Sequence, residues 1–225
     1  MSEAVVRAYR AEDRAAVGRI CVLTGDSGGD ATGKFFDDEL LPAIYAYPYI
    51  DYAPELVRVV ELDGDVVGYL VGVADVAAFS LWWKEHWSPQ LATRFPEDAA
   101  WTDKERALVD RARNPAQQVP PWRSQYPAEF HIDLLPVTQG RGLGRLLITD
   151  FRARLHSMGV HGLAIGVGAA NTAAVGFYKR LGFEVLREHV DAHGNPVAYA
   201  LWISTATQMG LHVKEPDLET QKRKL

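Results

Sequence analysis

Closely spaced glycines in the segment 139–144, Gln-Gly-Arg-Gly-Leu-Gly, have the composition of an anion-binding loop. An apolar stretch at 130–136 precedes them, and apolar residues recur every four positions from 143 to 155. This order predicts a strand, a tight glycine turn and a helix. Glycines let the backbone approach an anion closely, and a helix start offers unpaired N–H groups and a favourable dipole. The sequence therefore predicts that a diphosphate binds at this turn.

The spacing of the glycines argues against the two commonest nucleotide loops. A dinucleotide-binding fold needs G-x-G-x-x-G, whereas Arg145 stands in the place of the last glycine. No acidic residue ends the next predicted strand, which closes at Val167-Gly168, and no Gly-Lys-Ser or Gly-Lys-Thr is present for a P-loop. The spacing that is present is Gln-x-x-Gly-x-Gly, followed by a strand and a helix that begins at an asparagine.

That helix lies in the segment 171–183, Asn-Thr-Ala-Ala-Val-Gly-Phe-Tyr-Lys-Arg-Leu-Gly-Phe, which matches N-x-x-A-x-x-F-Y-x-x-x-G-F. Together with Gln139, Gly142 and Gly144, this segment resembles the two signatures of the GNAT superfamily of acetyl-CoA-dependent N-acetyltransferases. The motifs cover roughly residues 130–183, and the order of the predicted elements extends the resemblance to most of the chain.

A second resemblance is carried by the segment 22–32, Val-Leu-Thr-Gly-Asp-Ser-Gly-Gly-Asp-Ala-Thr, and by a tryptophan-rich excursion. Both are similar to the acetyltransferase-like C-terminal domain of O-GlcNAcases and its stand-alone bacterial relatives. Because the human domain of that subgroup is regarded as a pseudo-acetyltransferase, two functions stay open. The first is an active N-acetyltransferase, and the second is an acetyl-CoA-binding pseudoenzyme or peptide-binding module. The intact glycine loop favours the first.

The resemblance implies an α/β (α+β) GNAT fold, with a mixed central sheet of about seven strands flanked by helices. Hydrophobic patterns predict strands at 5–9, 56–62, 66–73, 130–136, 162–167, 183–190 and 196–203. They predict helices at 13–22, 35–45, 103–112, 143–157 and 171–180. We expect a single domain over residues 1–205, with a tryptophan-rich, partly helical insertion at about 77–127 and a polar tail at 206–225.

Composition narrows the class of protein. The 225 residues are 48% hydrophobic with a formal net charge of −5, which argues against a nucleic-acid binder that works through bulk charge. The one cysteine, Cys21, lies in an apolar pattern and predicts a buried thiol. No uncharged run reaches the roughly 20 residues of a membrane span, and no metal-ligand spacing is present. We expect a cytoplasmic protein without a membrane partner or a metal.

The resemblance implies acetyl-CoA as the co-substrate. It assigns the pyrophosphate to the loop residues Gln139, Gly140, Arg141, Gly142, Leu143, Gly144 and Arg145. It assigns the pantetheine arm to the backbone near Leu134, Leu135 and Val137, where Pro136 cannot donate an N–H. Asn171, the predicted N-cap of the following helix, would also contact the pantetheine arm.

Two kinds of catalytic group are predicted. Tyr178 lies seven residues, about two helical turns, after Asn171, so the two share a helix face, and the resemblance assigns Tyr178 the role of proton donor to the departing sulfur. Glu129, His131 and Asp133 alternate along a predicted strand and would share one face of it. We take Asp133 first and His131 second as the proton acceptor, although a solvated polar face explains this pattern equally well.

The residues predicted to bind the acceptor amine are two aspartates of one loop and one tryptophan. Asp26 and Asp30 lie in the glycine-rich loop and would favour a cationic amine, although acidic loops are more often solvated and closed by Asx-turns. Trp83 could form a wall of the acceptor pocket, although tryptophan clusters more often serve packing. The predicted partner is a small-molecule amine or a lysine-containing peptide, and the protein is expected to be a monomer or a homodimer.

Overall fold

The computed structural model describes residues 4–97, 101–115 and 119–206. Its strands are β1 Val5–Ala8, β2 Arg58–Leu62, β3 Asp65–Val73, β4 Glu129–Leu134, β5 Gly162–Gly168, β6 Glu184–Val190 and β7 Pro196–Ser204. Its α-helices are α1 Arg14–Leu23, α2 Leu40–Tyr45, α3 Tyr47–Tyr52, α4 Val76–Trp82, α5 Ser88–Arg94, α6 Asp103–Arg113, α7 Leu143–Ser157 and α8 Thr172–Arg180. In these ranges no helix is both long and apolar enough to cross a membrane. The predicted tail, from 207 onward, lies outside the described residues.

The strands form two sheets rather than the one mixed sheet that we predicted. The first has the order β1-β2-β3-β4 and the second β5-β7-β6, and every pair within them is antiparallel. Among the described residues, one isolated parallel bridge between Ala128 and Leu163 joins the two sheets. The α/β class of the GNAT fold is confirmed, and the sheet is split between β4 and β5.

Both faces of the inner strands β2 and β3 are buried, which explains their largely apolar sequences. Side chains alternate across β3: Tyr69 and Val71 pack against the cluster that contains α1 to α6, and Leu70 packs against the cluster that contains α7. The second cluster also includes Leu163 of β5 and Leu201 of β7. One face of α7 therefore packs into the cluster that both sheets share, and the apolar positions that predicted the helix form this buried face.

The tryptophan-rich insertion is helical and packs into the first cluster. The Nε1 groups of Trp83 and Trp87 donate to the carbonyls of Ala112 and Ala43, at 2.7 and 2.8 Å. Of the helix predicted at 35–45, only the part from Leu40 onward is helical, as α2. The residues before it are held against the insertion instead, because Phe36 donates its backbone N–H to Glu105 of α6 at 2.7 Å. The helix α2 ends at Tyr45, and Pro48 lies in the first turn of α3.

Gly72 in β3 allows α7 to pack closely on the sheet. A Cβ at this position would lie 2.6 Å from the carbonyl oxygen of Glu129 and 2.6 Å from the ring of the buried Phe151. We expect Gly72→Ala to lower the free energy of unfolding by about 1–3 kcal/mol through overpacking. Gly166→Ala in β5 is the matched control, since its Cβ would meet nothing within 4 Å. Denaturant midpoints check this, and equal midpoints for both variants would contradict the packing described.

Candidate active site

A cleft opens where β4 and β5 diverge. The amide of Ala164 donates to the carbonyl of Ala128 at 2.9 Å, and this bond marks the parallel bridge between the sheets. Beyond it, no backbone hydrogen bond joins β4 to β5 within the described ranges. Each strand therefore presents an unpaired edge to the cleft, and such an edge can pair with an extended guest.

The three glycines of the loop serve different purposes. Gly140 and Gly142 have φ values of 73° and 72°, the left-handed region that glycine adopts without strain. Gly144 lies inside α7, where a Cβ would come within 2.9 Å of the Phe177 ring and 3.3 Å of Leu134. Two glycines therefore shape the turn, and the third allows α7 to approach β4 and α8.

The start of α7 offers a row of backbone donors. Gly142 is the N-cap residue, and the first hydrogen bond back to it comes from Leu146 at 3.1 Å. The N–H groups of Gly142, Leu143, Gly144 and Arg145 have no acceptor among the described residues. Gln139, Arg141 and Arg145 are exposed beside them. Unpaired N–H groups at the positive end of a 15-residue helix can bind a diphosphate.

The backbone at the end of β4 is only partly available to a guest. The amide of Leu135 donates to Val67 of β3 at 3.0 Å, and its carbonyl accepts from Thr138 at 2.9 Å. Because amides alternate sides along a strand, the amide of Leu134 points into the cleft instead. Val137 follows in a short 3-10 turn and is about half exposed. Of the predicted pantetheine contacts, Leu134 offers a free backbone donor and Leu135 does not.

A cavity of about 470 Å³ lies at this end of the cleft and brings together the predicted catalytic residues. Tyr178 and Asn171 line it from α8 and its N-cap, and His131 and Asp133 line it from β4. Ala174 also lines it, and its amide donates to Asn171 Oδ1 at 3.0 Å, which fixes the start of α8. The cap role and the site position of Asn171 therefore coexist.

The phenol of Tyr178 is kept protonated by its surroundings. Burial raises its pKa above the usual value of 10, and the charge of Asp133 raises it further. The ring packs against Phe183 and Phe177, with centroids 5.3 and 5.4 Å away. A neutral phenol in this position is a proton donor at physiological pH.

Asp133 is recessed, and hydroxyl groups bind its carboxylate. Tyr69, which is fully buried, donates to its Oδ2, and burial raises the pKa of Asp133 against the effect of hydrogen bonds from Tyr69 and Thr24. Cys21 lines the same cavity from α1, and burial raises the pKa of its thiol to about 12. The thiol therefore lines the cavity as an unreactive group, as the sequence pattern predicts.

His131 belongs to a chain of hydrogen bonds that ends at a buried arginine. Its Nε2 lies 3.0 Å from the hydroxyl of Tyr49, and this hydroxyl donates to Glu129 Oε1 at 2.8 Å. Since the one phenol proton is given to Glu129, Nε2 carries the proton toward Tyr49, and Nδ1 retains the lone pair. Burial lowers the pKa of His131 from 6.5, against the charges of Glu129 and Asp133, so the imidazole is neutral at pH 7.

The arginine at the end of this chain is Arg123, which pairs with Glu129. Its Nη1 also donates to the carbonyls of Ala128 and Ala164, at 3.0 and 2.9 Å, on the two sides of the sheet split. Arg123 belongs to the short 3-10 turn Pro121–Ser124 at the end of the insertion. The insertion therefore supplies the group that fixes both the split and the orientation of His131.

A second cavity, of about 800 Å³, adjoins the first on the side of the insertion. Both are lined by Tyr45, His131 and the segment 165–168 of β5. The larger cavity is bounded by Trp83 of the insertion and by residues of β6 and β7. His131 thus lies on the wall common to the two cavities.

The three predicted acceptor-side residues are in different situations. Trp83 lines the larger cavity. Asp26 pairs with Lys34, and Asp30 accepts from the amide and hydroxyl of Thr32, at 2.8 and 2.6 Å, in an Asx-turn. Neither aspartate lines either cavity. The loop instead contributes Thr24, Gly25, Ser27 and Gly28 to the smaller cavity.

The model of the Acetyltransferase (GNAT) family matches residues 29–183 of the chain, a range that contains the glycine loop, β4, β5 and α8. The chain belongs to the GNAT family. The crystal structure of SsHAT is 37% identical in sequence and has a TM-score of 0.82; the match covers 91% of this chain and 100% of SsHAT. YncA from Salmonella typhimurium, solved with its cofactor acetyl-CoA, has a TM-score of 0.53 at 18% identity, a likeness of fold.

Two curated GNAT relatives match over 71 residues each. One is a mycothiol acetyltransferase from Nocardia farcinica, 42% identical over 32% of this chain and 21% of that protein. The other is the peptidyl-lysine N-acetyltransferase YjaB from Salmonella typhimurium, 39% identical over 29% of this chain and 45% of that protein. The matched region spans less than half the length of either protein.

Tyr49 and Arg123 are the site residues that sequence reasoning missed. Neither belongs to a GNAT motif or to a predicted polar face: Tyr49 lies in an apolar helix, and Arg123 follows a proline pair. The alternation of Glu129 and His131 on β4 was the available signal, because a buried carboxylate on that face needs a cationic partner from elsewhere in the chain.

Arg123→Met is expected to destabilise the fold strongly. The change leaves the carboxylate of Glu129 without its cation and the carbonyl of Ala164 without its side-chain donor, which costs about 3 kcal/mol of unfolding free energy. Arg94→Met is the matched control, since Arg94 and Glu39 pair at 3.2 Å with each side chain about half exposed, and its loss should cost less than about 1 kcal/mol. Equal denaturant midpoints would show that Arg123 does not stabilise the split.

Proposed function

We propose that this GNAT protein transfers an acetyl group from acetyl-CoA directly to the nitrogen of an amine. One observation carries the proposal. The unpaired edge of β4 lies between the unpaired N–H groups at the start of α7 and a cavity that Tyr178, Asp133 and His131 line together. Such a site combines a place for a long phosphorylated thioester with a proton donor and proton acceptors at its inner end.

The donor half uses backbone groups. The unpaired N–H groups of 142–145 bind the pyrophosphate, with Arg141 and Arg145 exposed beside them. The amide of Leu134 pairs with the pantetheine arm, which fills the gap between β4 and β5 as an added strand would. Backbone recognition of this kind depends on the shape of the loop and the strand, so a substitution at Gly140 or Gly142 weakens binding through strain.

The transfer step needs one proton removed and one supplied. His131 lies on the wall common to both cavities, and we assign to it the removal of the amine proton through Nδ1, with Tyr49 and Glu129 fixing its tautomer. Tyr178 supplies a proton to the departing thiolate. Asp133 keeps the phenol protonated through its charge, and it is the alternative proton acceptor.

Tyr178→Phe is expected to lower kcat about 10²-fold or more while leaving the affinity for acetyl-CoA within about twofold, since only the proton donor is removed. Calorimetric titration gives the affinity, and release of free thiol gives kcat. Tyr9→Phe, at a partly buried position outside both cavities, is the matched control. Unchanged turnover in the Tyr178 variant would remove it from the mechanism, and no binding at millimolar acetyl-CoA would reject the proposal.

The pH dependence of kcat/KM identifies the proton acceptor. Because burial lowers the pKa of His131, activity should fall only as the pH drops through a value below 6.5. The raised pKa of Tyr178 leaves its phenol protonated to above pH 10. The pH profile is measured with two acceptors whose amines differ in pKa. The limb of the profile that lies at the same pH with both acceptors reports a group of the protein rather than of the amine.

In His131→Gln this stationary limb should disappear and kcat/KM should fall about 10²- to 10³-fold. Asp133→Asn should retain the limb. The opposite result, with the limb lost in Asp133→Asn alone, would assign the proton acceptor to Asp133.

We also propose that the chain is related to the acetyltransferase-like C-terminal domain of O-GlcNAcases. The support is the resemblance in 22–32 and the tryptophan-rich insertion, whose Trp83 lines the larger cavity. If acetyl-CoA binds while no amine in a panel of polyamines, aminoglycosides and lysine peptides causes release of free thiol, that result would identify the protein as a binding module without turnover.

A further inference from the structure

The charges around the larger cavity indicate the class of amine, an inference that rests on the proposed acetyl transfer. Arg111, Arg123, Arg187 and Glu129 all line this cavity. Glu129 is the one carboxylate among the described lining residues, and Arg123 pairs with it. Arg187 adds a positive charge that no carboxylate of this lining neutralises, which favours an anionic guest.

Arg187 is more informative than Arg111. It lies on β6 and is exposed, and it forms no hydrogen bond or ion pair with any described residue. Arg111 lines the same cavity from α6. A guanidinium group such as that of Arg187 can bind a carboxylate or phosphate through two parallel N–H donors.

Much of the lining of the larger cavity is aromatic. Tyr45, Phe79, Trp83, Trp122 and Tyr199 all line the cavity. The Nε1 group of Trp83 is already bonded to Ala112 at 2.7 Å, so its ring offers apolar surface rather than a donor. A volume of about 800 Å³ is within the range of small-molecule pockets.

The relation of the two cavities orients a guest. His131 lines both cavities, whereas Arg111 and Arg187 line only the larger one. The reacting nitrogen must lie at the common wall, beside the half-buried His131, and an anionic group then lies toward the exposed Arg187. We propose that the acceptor is a small amine with an apolar or aromatic body and a carboxylate or phosphate at the end remote from the nitrogen.

Three amines with one body test this: 2-phenylethylamine, 4-(2-aminoethyl)benzoate and tyramine phosphate. In the protein saturated with coenzyme A, which carries no acetyl group, we expect calorimetry to show that the two anionic amines bind at least tenfold more tightly than 2-phenylethylamine. With acetyl-CoA, we expect their kcat/KM for acetylation to be at least tenfold higher. Comparison of carboxylate with phosphate identifies the preferred anion. High salt should reduce the advantage, since the exposed arginines are screened.

Arg187→Glu should abolish this advantage while changing the kcat/KM for 2-phenylethylamine less than about threefold. Arg19→Glu on α1 makes the same charge change at an exposed position outside both cavities and should preserve the advantage. Equal affinity for the three amines, or an advantage that survives in Arg187→Glu, would overturn the inference. Because calorimetric binding is measured apart from turnover, an anionic preference without acetylation would reject the proposed transfer and retain the assigned pocket.

Discussion

This structure depends on the hydrogen bonds and the ion pair that one buried guanidinium group forms at the split between two sheets. The antiparallel sheet β1-β2-β3-β4 and the sheet β5-β7-β6 share a single parallel bridge in the part of the chain that is described. Arg123 donates to one carbonyl on each side of that bridge and pairs with Glu129 at the start of β4. Without Arg123, the Glu129 carboxylate would lose its cation and the Ala164 carbonyl its side-chain donor, which is costly in a protein interior.

The split has a functional consequence because it leaves two strand edges and a helix terminus open to one cleft. Edges of this kind are a hazard when they face solvent, and they become a binding surface when a guest with alternating donors and acceptors fills them. In this GNAT protein the cleft widens toward the glycine turn, where Gly144 brings α7 against β4 and α8. The backbone arrangement therefore determines where a phosphorylated thioester can lie, and side chains are left to govern the chemistry.

Burial sets the protonation of those side chains. Tyr178 stays a phenol and His131 stays a neutral imidazole because each is withdrawn from water, and the charge of Asp133 reinforces the first effect and opposes the second. The bonds from Tyr49 and Glu129 then select which nitrogen of His131 carries the proton. The insertion completes the arrangement, since it brings Arg123 to the split and Trp83 and Arg111 to the larger cavity.

The sequence by itself determined the local elements and the family. The spacing of Gly140, Gly142 and Gly144 and the motif at 171–183 identify the GNAT family, because turn conformations and helix periodicity are encoded over a few residues. Tertiary structure decided which groups meet. The separation of one predicted sheet into two, and the placement of Tyr49 and Arg123 beside β4, depend on contacts between distant segments that no local pattern encodes. Asp26 and Asp30 show the reverse. The composition of their loop suggested an acceptor site, whereas in the structure Asp26 pairs with Lys34 and Asp30 accepts a hydrogen bond within its own turn.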